Sequence, residues 1–125
     1  MDTTEVADKR KHTRFRPQDL AFAAFRSHAM KIGDIIDISR GGLAFCYISN
    51  GDQVTESGEL EIFVAKYGFH LEKVPFTTIS DFELPNEIPT SSIIMSRCGV
   101  QFGELTKTQV SQLGYFIQNH TVGEA

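Results

Sequence analysis

Arg10-x-x-x-Arg14 and Asp37-Ile38-Ser39-Arg40-Gly41-Gly42 are the two stretches of this 125-residue chain whose residue types and spacing point to selective chemistry. An arginine presents a planar fork that grips phosphate oxygens, or the O6 and N7 edge of a guanine, through two parallel hydrogen bonds. Asp37, acceptor-only when ionised, suits the N1 and N2 donors on the opposite edge of that base. Ser39 donates or accepts, and Gly41 and Gly42 let backbone approach a flat ring with no Cβ in the way. Side by side, the two stretches would read both edges of one base and hold phosphates. No nucleophile is paired with a base and no carboxylate pair is placed for acid–base work, so no catalytic residue is assigned and the chain is not read as an enzyme.

The elements that must bring the stretches together follow from hydrophobic periodicity. Residues 1–8 are polar and aperiodic, a flexible lead. Gln18 to Arg26 alternates, with Leu20, Phe22 and Ala24 on one face, and Ser27-His28-Ala29 supplies a turn. Lys31 to Ser39 returns with Ile32, Ile36 and Ile38 on one side, which sends Asp37 and Ser39 together to the other. A turn near His28 sets residue i opposite about 56 minus i, so Ile38 should return beside Gln18, just after the arginine arm.

The remaining strands are Leu43 to Ile48, ended by an Asn50-Gly51 turn; Glu59 to Lys66, with Leu60, Ile62 and Val64 inward; and Phe69 to Phe82, long enough for one bent strand. Pro75 marks an edge or a bulge in that segment, because proline cannot donate to the ladder. Leu84 to Ser92 reads as a loop, and Ile93 to Phe102 as a last strand with Ile94, Cys98, Val100 and Phe102 on one face. Val110, Leu113, Phe116 and Ile117 then switch to helical spacing, behind a Thr106/Gln109 capping box. Six strands and one terminal helix predict an all-β fold, a six-stranded antiparallel barrel with one C-terminal α-helix, since closure removes exposed strand edges.

Charge narrows the ligand class. Lys9, Arg10, Lys11, Arg14 and Arg16 are gathered in residues 9–16, whereas the rest of a chain of net charge −4 is predominantly acidic. An acidic body disfavours a nucleic-acid polymer or an anionic membrane surface, which want a broad basic face. The inward phenylalanines also argue against a barrel that stacks single-stranded bases. A small anion gathered by a short arm fits better. No apolar run approaches the roughly 20 residues of a membrane span and no signal-peptide core opens the chain, so a cytoplasmic protein with no direct membrane insertion is expected. Cys46 and Cys98 lack metal-ligand spacing and are read as reduced thiols; neither metal nor cofactor is assigned, and the four scattered histidines receive no chemistry.

With these residues in view, the chain resembles the PilZ domains, a bacterial family that binds the second messenger cyclic di-GMP. Arg10-x-x-x-Arg14 and Asp37-x-Ser39-x-x-Gly42 match its two motifs, and Cys98-Gly99-Val100-Gln101-Phe102 followed by a capped helix looks like its last strand and helix. The resemblance implies a domain over residues 9–119, with 120–125 as a tail. It further implies that Arg10 and Arg14 hold phosphates and a guanine edge while Asp37, Ser39 and Gly42 line the other side of the base. Arg40 and Gly41 would lie within reach, and Lys9 would bear on whether one nucleotide or a stacked pair is bound. Arg97, opposite in facing to Cys98, has the reach to touch a phosphate or stack on a base, the alternative being a solvated strand arginine. The implied protein is a single-domain receptor whose arm orders on the nucleotide and signals to a protein partner. The alternative is a PilZ-like adaptor that works by protein contact without nucleotide.

Overall fold

Neighbouring strands pair antiparallel along most of the chain, and one return pairing closes the wall. The computed structural model describes residues 12–26, 30–49, 54–86 and 92–125. Strands β1 (Phe15–Pro17), β2 (Ala21–Arg26), β3 (Met30–Ile38), β4 (Gly42–Ser49), β5 (Ser57–Val64), β6 (Phe69–Glu83) and β7 (Ile94–Phe102) are followed by helix α1 (Lys107–Asn119) and strand β8 (Thr121–Glu124). The order β2-β5-β6-β7-β4-β3 closes on itself because β3 also pairs with β2, giving a six-stranded barrel. Outside it, β1 joins β3, and β8 joins β1.

Alternation decides what fills the barrel. Phe25, Ile38, Leu43, Phe45, Leu60, Ile62, Val64, Leu71, Val74, Cys98 and Val100 are fully buried, or nearly so, and form one core. The Phe25 and Phe45 rings lie 5.1 Å apart at its centre. In α1 the Thr106 hydroxyl accepts from Gln109 N, and the Gln109 side chain accepts from Thr106 N, so the expected capping box is present. The helix buries Leu113, Phe116 and Ile117, and Phe116 packs 5.3 Å from Phe69, so the stripe is core; Val110 stays exposed.

The first hairpin keeps the expected register, with Phe22 opposite Asp34 and Arg26 opposite Met30; its connecting residues 27–29 lie outside the described residues. Two features depart from expectation. Gln18, Asp19 and Leu20 leave the ladder between β1 and β2, so Ile38 pairs with Phe15 rather than Gln18. A bulge at Ile36 then resets the alternation of β3, so Ile35 and Ile38 enter the core while Ile32 is exposed. The face of β2 carrying Leu20, Phe22 and Ala24 looks outward, and Ala21, Ala23 and Phe25 fill the interior.

In β6 a bulge lies between Leu71 and Val74, with Lys73 at φ 57, beside Pro75 as the proline foretold. Two short strands were not foreseen: β1 within the arm, and β8 in the segment read as a tail. The Asn50-Gly51 turn and most of the 84–92 loop fall outside the described residues. No helix among the described residues is long and apolar enough to cross a membrane.

Candidate functional site

The β3–β4 turn is tied by its own serine. Ser39 N donates to Gly42 O at 2.8 Å, Ser39 Oγ donates to the same oxygen at 3.3 Å, and Gly41 N donates back to Ser39 Oγ at 3.1 Å. The hydroxyl therefore first shapes the turn, and its remaining lone pair is what it has left for a ligand. Gly42 sits against β7: a Cβ there would run into the carbonyl oxygen of Val100 and stand 3.2 Å from Gln101 Cα. Gly41 lies beneath His12, whose Cδ2 would be 2.7 Å from an added Cβ. His12 thus already lies over the turn.

Strand pairing places the rest. Phe15 opposite Ile38 puts Arg14 level with Ser39 and diagonal to Asp37, and Arg14 Nη1 donates to Asp37 Oδ1 at 2.7 Å. The bulge at Ile36 keeps Asp37 on the outer wall while Ile38 points inward. From β7, Arg97 brings Nη2 to 3.7 Å from Asp37 Oδ2. The carboxylate is largely buried, with 9% of its side chain exposed, yet two guanidiniums converge on it. Two cations against one anion leave this corner of an acidic protein locally positive, which favours a further anion.

Beside Asp37 the wall carries only small side chains, and it is covered: Ala44 is 4% exposed and Ser80 Oγ would lie 2.9 Å from a Cβ on Gly99. Asp37 pairs with Ala44 and Ala44 with Gly99, so these residues share one row of the outer face. Arg97, opposite Cys46, bounds the next row, and Gln101, opposite Gly42, bounds the one on the other side. This row of alanine and glycine is edged by arginine, carboxylate and amide, groups that bond the edges of a planar ring.

The predicted site residues divide accordingly. Arg14, Asp37, Ser39, Gly41, Gly42 and Arg97 are brought together, whereas Arg10 and Lys9 lie outside the described residues. Arg40 points elsewhere: its Nη1 lies 3.3 Å from where a Cβ on Gly114 would stand, so the guanidinium rests on α1 in the space that glycine leaves. Sequence reasoning missed His12, Ala44 and Gly99. The last two become visible only through strand register, since small residues on an outer strand face carry no signal of their own.

Both thiols are free. Cys98 is buried, and desolvation lifts its pKa to about 12; Cys46 faces outward and is raised chiefly by burial, with Arg97 pulling the other way. Tyr47 donates to Asp81 at 2.6 Å, and burial together with that bond moves its ionisation well above the ordinary range.

No protein-family model and no curated protein matches the chain. Solved structures do. The PilZ domain of YcgR from Escherichia coli, solved with c-di-GMP, aligns at TM-score 0.71 and 16% identity, over 90% of this chain and 92% of that one. The MrkH–c-di-GMP complex of K. pneumonia aligns at 0.67 and 14%, over 90% of this chain and 52% of that one. The Bacillus subtilis inhibitor of motility, MotI/DgrA, aligns at 0.58 and 15%, over 89% and 50%. The chain thus spans about half the length of the MrkH and MotI structures. At these identities the likeness is one of fold: the chain has the PilZ-domain fold.

Proposed function

We propose that this chain is a receptor for cyclic di-GMP, not an enzyme, and that the nucleotide sits beside the Ala44/Gly99 row between the leading segment and the β3–β4 turn. The observation that carries the reading is the convergence of Arg14 and Arg97 on the buried Asp37 carboxylate beside that row. Guanine would take its N1 and N2 bonds to Asp37, and its other edge and the phosphates would fall to the arginines, Arg10 among them. Support also comes from the fold, since the similar YcgR and MrkH structures were solved with c-di-GMP.

The mechanism is an exchange of partners. Without nucleotide, Arg14 is held by Asp37; with it, guanidinium and carboxylate each gain a ligand group, and the leading segment is fixed over the nucleotide. That ordered segment is the surface a protein partner reads. The test is a calorimetric titration of cyclic di-GMP into the wild type and Arg14→Ala. Saturable uptake at micromolar nucleotide, weakened in the variant by about 1–3 kcal/mol, is expected. A wild type that takes up no nucleotide ends the reading and leaves an adaptor acting by protein contact alone.

A further inference from the structure

The β5–β6 ladder stands across the barrel from the β3–β4 turn, and its outer face carries a histidine between two glutamates. Leu60, Ile62 and Leu71 point inward, so Glu61, His70 and Glu72 point outward. Register sets Phe63 opposite His70 and Ile62 opposite Leu71, which makes Glu61 the diagonal neighbour of His70. His70 Nε2 lies 2.8 Å from Glu61 Oε2, and one ligand atom from each of the three side chains lies within 4.8 Å of the other two.

A separate element braces this arrangement. From the first turn of α1, Gln109 Nε2 donates to the carbonyls of Glu72 at 3.1 Å and Lys73 at 2.9 Å, gripping the bulge on which Glu72 is mounted. Between this wall and the helix start runs an open groove of about 590 Å³, edged by Glu59, Glu72 and Glu104 against the single cation Lys73. The groove is therefore acidic, and it leads to the histidine.

We infer that Glu61, His70 and Glu72 form a binding site for a divalent transition metal of the zinc type, independent of the nucleotide site. One imidazole nitrogen with two carboxylate oxygens is a borderline donor set: it suits zinc and its neighbours, whereas calcium and magnesium want six or more oxygens. Zinc bonds nitrogen and oxygen at about 2.0–2.2 Å, so its ligands stand about 3.4 Å apart in a tetrahedron. His70 and Glu72 are exposed, so the side chains close to that spacing by rotation alone. The two carboxylates balance the ion's charge, and the fourth position faces the groove. Bound there, the ion would clamp β5 to β6 across the bulge.

The test is a titration of zinc chloride into the full chain near neutral pH, followed by calorimetry and by melting temperature. One saturable site per chain is expected, together with a higher melting temperature for the wild type. His70→Ala and Glu72→Gln should each weaken uptake by about tenfold or more and lose the thermal gain, while Cys46→Ser leaves both intact. Magnesium should give neither effect. Absence of saturable uptake by the wild type, equal uptake by the His70 and Glu72 variants, or loss of uptake in Cys46→Ser would each overturn the assignment.

Discussion

Asp37→Asn removes one charge from the centre of the candidate site and keeps its shape. Asp37 now accepts a charge-assisted bond from Arg14 at 2.7 Å and faces Arg97 at 3.7 Å. Bonds to charged groups contribute about 1.5–3 kcal/mol, but the Arg14 side chain is 23% exposed and can swing to water, so the expected loss of stability is about 1–2 kcal/mol. With unfolding entropy of about 2.1 cal/mol/K per residue, that is a melting temperature lower by about 4–8 °C.

Binding should split by ligand. Inorganic phosphate gains from two unpaired guanidiniums and binds more tightly to the variant. Cyclic di-GMP loses one of the two carboxylate acceptors facing N1 and N2, replaced by an amide NH2 that meets a guanine N–H. The bidentate contact, worth about 1–3 kcal/mol, is broken, part of that is returned because Arg14 is released, and a net weakening of about tenfold is expected. Paired calorimetric titrations of the two ligands in one buffer measure this. Equal or tighter dinucleotide binding by Asp37→Asn would refute the assignment of Asp37 to the base edge.

Gly42→Ala should lower stability by about 2 kcal/mol and the melting temperature by about 8 °C, because the added methyl meets backbone of Val100 and Gln101 that has no rotamer to yield. Thr106→Ala removes half of the capping box and should cost about 1 kcal/mol in urea unfolding, with nucleotide affinity unchanged. Alkaline titration gives a signed test of Cys98. Burial pushes the thiol up from its ordinary 9.0 to about 12 in the fold, so between these values the unfolded chain gives up its proton first. Stability should therefore fall with rising pH in that window, by up to about 1.4 kcal/mol per pH unit from this group, and Cys98→Ala should flatten the slope. The raised Tyr47 acts in the same direction. A thiol reagent at neutral pH should accordingly label Cys46 well before Cys98, read by mass.

The barrel was legible because alternation and turn chemistry agree along β4, β5 and β7. The hairpin register followed from the turn position alone, and the helix from its cap and spacing. What escaped was local irregularity: the bulge at Ile36 inverts the facing of half a strand, and nothing in a run of isoleucines signals the extra residue. The departure of Gln18 to Leu20 from the ladder moved Phe15, not Gln18, opposite Ile38, and so brought Arg14 itself to Asp37. Arg97 was harder still, since its closeness to Asp37 depends on β7 lying beside β4, a neighbour relation between segments some fifty residues apart. The His70 cluster was hidden for the same reason: Glu61 and Glu72 flank it only after β5 and β6 pair.

The short β1–β8 ladder has a practical consequence. Phe15 pairs with Glu124, and Ala125 N donates to Arg14 O at 2.9 Å, so Ala125 is stitched to the arginine that holds Asp37. A fluorophore attached at residue 125 would ride on that seam and report directly on the posture of Arg14 and β1. A bulky group attached at the same place would pry it open, so a bulky label belongs elsewhere when nucleotide uptake is to be measured.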